Sequence, residues 1–457
     1  MLKILRRTLL LLLVALFAGV ATLWLKPPAL LRVGANYAAK IVCSNVFLAG
    51  RDPEEVLRVD VQAPGIAILR LMRVSVDRPQ RRVRAGFLGF IGNGLAVADA
   101  RGGCTVLPGG DPTPTPAPGA APPAPLPSST PDALWPDGDR VGTEPALDRI
   151  VADDTLAGPG MRAIVVIDHG RVVAERYGSG FSASTPLLGW SMTKTVIAGL
   201  IGLLVKDGKL SLDQTMLWPA APNDARDTIR LADLMAMSSG LRWNEDYGAV
   251  SDVTQMLYLE PDMAQFARSQ PLEHTPGEVW SYSSGTANIL ARIVMDAAGP
   301  TAPDFIEQRL FATLGMHSAL IEHDAHGTPV GSSYMYATAR DWARYAQFLL
   351  QDGIWEGHEL LPRGYVAMMA TPVPASGGQY GKGQTWLWGS DALTPGQNPD
   401  AAFGIPNDHF WMSGHDGQTI ALLPSEQLAV IRLGLTPAAE HYSPQALVRA
   451  VLEARSR

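Results

Sequence analysis

Cysteine is nearly absent: Cys43 and Cys104 are the only two among 457 residues. That excludes a disulfide-dense scaffold and a cysteine-rich zinc module. Charge of one sign does not accumulate either, since 37 Lys and Arg stand against 44 Asp and Glu without long runs. A net charge of -7 spread in this way gives no electrostatic case for nucleic acid and favours a small-molecule partner. No internal repeat of fixed period is visible, and the chain is long enough for a large core plus an accessory unit.

The long apolar run comes first. Lys3, Arg6 and Arg7 precede a segment from about Thr8 to Leu25, closed by Lys26-Pro27-Pro28. As a helix it reaches about 27 Å, near the minimum for crossing a bilayer. The positive flank predicts a single-pass membrane anchor with a cytoplasmic N-terminus and an exported body, periplasmic or extracellular. A cleaved signal peptide is the alternative, with Gly19-Val20-Ala21 supplying small residues at a cut site.

Four regions follow: residues 1–26 as anchor or signal, 27–108 as a small β-rich accessory unit, 109–136 as a Pro/Ala-rich linker, and 137–457 as the main body. In an exported chain Cys43 and Cys104 read as one disulfide bracketing the accessory unit, with two buried free thiols as the alternative. Closing that loop would contribute roughly 4 kcal/mol on the chain-entropy model. Within the unit a hairpin is expected to close at Asn93-Gly94. Arg70, Arg73, Arg78, Arg81, Arg82 and Arg84 form either a solvated strand face or a surface resting on anionic lipid. The run from Gly109 to Pro136 cannot bury a core and reads as a semi-rigid spacer.

In the body, strands are expected at Ala163–Ile167 and Arg171–Tyr177, joined at Asp168-His169-Gly170. More follow late, at 384–388, 409–413, 419–423 and 428–435, before a closing helix from about Pro444. Helices are expected at 229–237, 286–298 and 337–351. Strands at both ends around a helical insert predict an α/β fold with one antiparallel sheet built from the two chain ends and flanked by helices.

Gly189-Trp190-Ser191-Met192-Thr193-Lys194-Thr195 stands at the mouth of an apolar run, Val196 to Val205, that reads as a buried helix. Three residues apart on a helix, Ser191 and Lys194 project from one side, which sets a hydroxyl beside an amine. A serine hydroxyl needs a neighbouring base to act as a nucleophile, and an apolar wall disfavours the ammonium and so makes lysine that base. Free N–H groups at the helix start also face a developing oxyanion. The competing reading is a capping serine followed by a solvated lysine.

Two later stretches carry chemistry. Trp280-Ser281-Tyr282-Ser283-Ser284-Gly285 follows Pro276-Gly277 and offers a phenol as a proton shuttle, or a packed aromatic. Trp411-Met412-Ser413-Gly414-His415-Asp416-Gly417-Gln418 is a glycine-rich link between strands whose backbone N–H groups can complete an oxyanion hole. Trp190, Trp243 and Trp280 wall a pocket or fill the core. Glu245 and Asp246 line a cleft or brace a loop, and His323 and His326 sit in a loop that lacks a third metal ligand.

S-x-x-K on a helix, Y-S-S further on and H-D-G on a late strand together resemble the serine hydrolases of the class C β-lactamase type. The wording at Met237 to Tyr247 and at Gly331 to Trp342 is most similar to the 6-aminohexanoate-dimer hydrolase branch. The resemblance implies a β-lactamase/transpeptidase-like fold, Ser191 as nucleophile, Lys194 as general base and Tyr282 as proton relay. It implies an oxyanion hole from the N–H groups of Ser191 and Gln418, and no metal or organic cofactor. Ser284, His415, Gly417 and Trp190 would contact substrate.

Two departures bear on that substrate. His415 stands where such enzymes usually carry lysine, and a histidine of ordinary pKa, about 6.5, is mostly neutral at pH 7. Ser284 replaces an asparagine amide with a shorter hydroxyl. The expectation is hydrolysis of an ester or amide without a fixed carboxylate. The alternatives are a D-alanyl peptidase or weak β-lactamase, and a catalytically silent receptor.

Overall fold

A computed structural model describes residues 2–110, 132–219, 223–390 and 397–455. The expected linker at 109–136 lies for the most part outside the described residues. The chain divides into two compact units, one formed by Met1–Thr115 with Glu245–Pro261, the other by Pro116–Asn244 with Asp262–Arg457.

In the first unit α1 (Leu2–Leu25) is followed by α2 (Ala29–Phe47) and then by four strands, β1 (Met72–Asp77), β2 (Arg82–Phe87), β3 (Ile91–Ala98) and β4 (Cys104–Val106). The strands pair antiparallel in chain order, and α2 covers the sheet. Cys43 on α2 is bonded to Cys104 on β4.

Two expectations fail here. From Pro27 to about Leu107 the sequence reads as short strands and turns rather than long helical periodicity, yet beside its four strands α2 runs through 19 residues. It is buried on nearly every side, including Asn36, Lys40, Ser44 and Asn45, so no polar face marks its period. The hairpin does not close at Asn93-Gly94: the turn is Leu88-Gly89-Phe90, and Asn93 lies inside β3 as a bulge with φ 46°. Gly94 serves close packing instead, since a Cβ there would lie 2.3 Å from the Ala35 carbonyl of α2.

The segment Glu245–Pro261 belongs to this unit although it falls within 137–457. Its helix, Asp252–Leu259, packs against α2. Asn36 ties the two together with β3, donating to the Tyr258 carbonyl at 2.7 Å and accepting from the Leu95 N–H at 3.2 Å.

The second unit opens with α3 (Pro145–Ala152), the hairpin β5 (Met161–Asp168) and β6 (Arg171–Tyr177), a short β7 (Leu187–Leu188) and α4 (Met192–Lys206). There follow α5 (Ser284–Ala298), β8 (Leu320–Ile321), β9 (Met335–Ala337) and α6 (Ala339–Leu350). The last elements are β10 (Phe410–Gly414), β11 (Gln418–Leu423), β12 (Leu428–Gly434) and α7 (Pro444–Arg455).

The main sheet has the order β10-β11-β12-β5-β6, antiparallel throughout, so strands from both ends of the body form one sheet. Ile164, Val166, Ala421 and Val430 face Leu147 and Val151 of α3 and Leu447, Val448 and Val451 of α7. The other face is covered by α6. Burial on both faces explains why β5, β11 and β12 read as unbroken apolar runs.

Residues 384–388 do not form the expected strand. Gln384 has φ 59°, its amide donates to the Leu234 and Met235 carbonyls at 3.1 and 2.7 Å, and its own carbonyl is taken by Thr195 Oγ1 at 2.7 Å. These bonds pull the chain out of extended geometry. Only Trp386 remains paired, to Trp411 and Tyr380. The expected helix at 229–237 shrinks to Leu231–Met235.

Candidate active site

Ser191 occupies the position just before α4, on a turn pinned from both sides. The Gly189 N–H donates to Met335 of β9 at 3.0 Å, and Thr193 Oγ1 donates to the Trp190 carbonyl at 2.7 Å while accepting from the Met335 N–H at 3.1 Å. Trp190 adopts φ 48°, a conformation that side-chain-bearing residues hold only when their surroundings fix it. Ser191 itself is half-buried.

Lys194 is 1% exposed, so the solvated-lysine reading does not hold. Its Nζ lies 3.0 Å from Ser191 Oγ, 3.2 Å from Ser284 Oγ and 2.9 Å from the Ser332 carbonyl. That carbonyl is itself fixed, because the Ser332 N–H donates to Asn288 Oδ1 at 3.0 Å on α5. A carbonyl only accepts, so Lys194 donates there. Toward Ser191 the contact can run in either direction, as a hydroxyl both donates and accepts.

The Tyr282 ring also faces Lys194, with Nζ 4.9 Å from its centroid. Around it stand Trp386 at 5.2 Å, Tyr380 at 5.9 Å and Trp280 at 6.5 Å. Trp280 thus joins an aromatic wall. Its Nε1 is buried and has no hydrogen-bond partner among the described residues. Tyr380 and Trp386 were not foreseen: the first has no motif around it and the second was assigned to a strand.

The remaining motif sits at the junction of β10 and β11. Gly414 lies opposite Gln418 in the ladder and beside Gly189, whose carbonyl would stand 2.2 Å from a Cβ on Gly414. The backbone bearing Gln418 is thereby drawn to the Ser191 turn. The Gln418 side chain is committed elsewhere, donating to the His415 and Asp416 carbonyls at 3.1 Å and accepting from the Gly434 N–H at 2.9 Å. Gly417 has φ 80°, and its carbonyl accepts from Arg432 Nη1 at 3.0 Å. His415 stacks edge-on against Trp190 at 5.5 Å, and Trp190 packs on Tyr334 at 5.9 Å.

Ser284, expected as a substrate contact, is fully buried on Lys194. Trp243 packs beneath the start of α5, 2.5 Å from where a Cβ on Gly285 would lie. Glu245 and Asp246 brace their own loop, through Tyr247 Oη at 3.3 Å and the Gly248 N–H at 2.7 Å. The 323–326 loop is organised by Asp324, which accepts from the N–H groups of Met263, His326 and Thr328; burial pushes its pKa up to about 6. Among the described residues no group of three His, Cys, Asp or Glu is placed to hold a metal.

A polar cluster missed in the sequence supports β10 from behind. Asp400, fully buried, accepts from Gly389 N–H at 2.8 Å, Trp411 Nε1 at 2.9 Å and Gln445 Nε2 at 3.0 Å, and meets His409 Nε2 at 2.6 Å. Burial alone would raise its pKa; the contacts with His409, Gly389 and Gln445 outweigh this and hold it below the ordinary carboxylate value.

Known proteins share sequence and fold with this chain. A 6-aminohexanoate-dimer hydrolase of Paenarthrobacter ureafaciens is 25% identical over 218 residues, covering 45% of this chain and 55% of its own. The chain therefore spans about half the length of that curated relative. A Bacillus anthracis protein described as a 6-aminohexanoate-dimer hydrolase superposes with a TM-score of 0.56 at 20% identity, over 70% of this chain and 88% of that one. A β-lactamase-like structure from Bacteroides dorei gives 0.53 at 21% identity, over 68% and 99%. The family described as Beta-lactamase matches residues 148–443, from α3 to the threshold of α7 and across every motif above, and the chain belongs to it.

Proposed function

We propose that this protein is a serine hydrolase that cleaves ester or amide bonds through an acyl-enzyme on Ser191. The observation that carries the reading is the buried Lys194 amine 3.0 Å from Ser191 Oγ. With Ser332 and Ser284 accepting its two N–H bonds, a neutral amine keeps its lone pair for the Ser191 proton.

Ser191 Oγ attacks the acyl carbon as its proton passes to Lys194 Nζ. The oxyanion that forms is met by the N–H groups of Ser191 and Gln418. The bond to the leaving oxygen or nitrogen then breaks, and the proton returns from Lys194 to the leaving group through Tyr282. Water attacks the acyl-enzyme by the same route in reverse and frees the acid. Trp280, Tyr380 and Trp386 beside Tyr282 favour substrates with apolar flanks. His415 stands where a lysine would supply a permanent cation for a substrate carboxylate, and the absence of that cation favours simple esters and amides over β-lactams. The apolar α1 would hold the enzyme at the membrane with its body exported, or direct its secretion if cleaved.

Intact-mass measurement after treatment with a serine-reactive fluorophosphonate tests the reading. One adduct on the full chain and none on Ser191→Ala is expected. No adduct on folded parent protein would overturn it in favour of a silent binding protein.

A further inference from the structure

Four large apolar side chains of the first unit are left facing outward at one end of its sheet. Ile66 is 41% exposed, Leu71 42%, Leu88 49% and Phe90 46%. They come from two neighbouring turns: the Leu88 N–H donates to the Leu71 carbonyl at 2.9 Å, and Ile66 and Leu71 flank the same 3-10 turn. The unit has a disulfide and a well-filled interior, so this exposure is not explained by a shortage of core.

The place of these turns is informative. Gly92, two residues beyond Phe90, lies against the Leu31 carbonyl in the first turn of α2, whereas Gly102 at the opposite end of β3 lies against Phe47 at the last. The apolar turns are therefore at the N-terminal end of α2. Only Lys26-Pro27-Pro28 separates that end from Leu25 of α1, a distance of at most about 14 Å. Among the described residues, α1 is the one helix long and apolar enough to cross a membrane; its side chains are exposed, and it also approaches β3. Between residues 64 and 73 and between 86 and 92 there are two arginines, Arg70 and Arg73, and no carboxylate. Both are exposed, and Arg73 borders the Leu88-Gly89 turn.

We infer that these two turns form a wedge that enters the membrane surface beside α1. Ile66, Leu71, Leu88 and Phe90 sit at the boundary of headgroups and acyl chains, while Arg70 and Arg73 meet anionic lipid phosphates at the rim. The wedge fixes the first unit against the bilayer, where α1 alone would leave it swivelling on a short tether. The inference rests on α1 residing in the membrane, and a flotation control tests that separately.

The native cysteines are bonded to each other, so a single added cysteine can be labelled selectively. Full-length L88C and F90C, with A100C at the far β3–β4 turn as control, would carry an environment-sensitive dye. They would be placed in vesicles of phosphatidylcholine with or without phosphatidylglycerol, containing acyl-chain spin labels at shallow depth. Expected are a blue shift and loss of emission at positions 88 and 90 but not at 100, stronger with phosphatidylglycerol. The paired changes Arg70→Glu and Arg73→Glu should abolish that lipid dependence. Protein that floats with vesicles while positions 88 and 90 stay as open to aqueous iodide as position 100 would overturn the wedge. A blue shift that follows protein density rather than lipid quencher would also overturn it, in favour of contact between copies. Failure to float would instead remove α1 from the membrane.

Discussion

Gly414 passes so close to Gly189 that a methyl carbon on it would stand 2.2 Å from the Gly189 carbonyl oxygen. The end of β10 and the turn carrying Ser191 thus meet backbone to backbone, with no side chain between them. Gly414→Ala must separate them, and a misplacement of about 1 Å at a reacting centre costs on the order of 100-fold. A drop of about that size in kcat/KM for a soluble ester is expected, with the circular dichroism spectrum retained. Unchanged turnover in the folded variant would show that β10 plays no part in the site.

Ser284 touches Lys194, and its removal should act on the base. Ser284→Ala is expected to lower kcat about tenfold, or about 1.4 kcal/mol, with little change in KM. Steady-state kinetics on one ester separates this from the role expected from sequence: if Ser284 contacted substrate, KM would rise while kcat held.

Asp400, which accepts from Trp411 of β10, makes a pH-dependent contribution to stability. Its folded-state pKa lies below the unfolded value, so its contribution is complete above about pH 4 and drains away as pH falls through the lower folded value. Asp400→Asn should cost about 2–4 kcal/mol near neutral pH by breaking its buried contacts with His409, Trp411 and Gln445. Urea unfolding of both proteins should show the gap narrowing below about pH 4. A gap independent of pH would contradict the assignment.

Asn36→Ala leaves the Leu95 N–H and the Tyr258 carbonyl without their partner, at a cost of about 2–4 kcal/mol. Truncation before residue 110 goes further, because it strips α2 from the helix Asp252–Leu259, most of whose side chains are buried. The truncated chain is expected to precipitate or to bind a hydrophobic dye, which light scattering and dye fluorescence report. A stable, dye-silent fragment would mean that this helix needs no cover.

Much of the second unit is legible in sequence, because its chemistry follows short-range rules. S-x-x-K places Ser191 and Lys194 on one side of a helix by spacing, the later Y-S-S and H-D-G motifs single the pair out from a mere cap, and strands at both ends of the body declare the sheet. The illegible parts are those settled by partners distant in the chain. Ser332 offers a carbonyl, which no side-chain motif encodes. Tyr380 and Trp386 reach the site through a segment bent by Gln384, whose bonds run to residues 195, 234 and 235. In the first unit, α2 hides its period because almost all of it is buried, and Gly94 imitates a hairpin signal while serving a helix–strand contact. His415 and Gly417 show the limit of motif reading: the first packs on Trp190 and the second receives Arg432, contacts that their neighbours in sequence do not announce.

The pairing of β5 with β12 has a consequence for biogenesis. The strand that opens the main sheet, β5, finds its neighbour β12 only at residues 428–434, so the sheet has no complete form until that stretch has been synthesised. Such distant pairing folds slowly. A chain emerging from its N-terminus would therefore present Ser191 long before the strand that completes the sheet, and the arrangement around Ser191 would be finished only once β12 had followed.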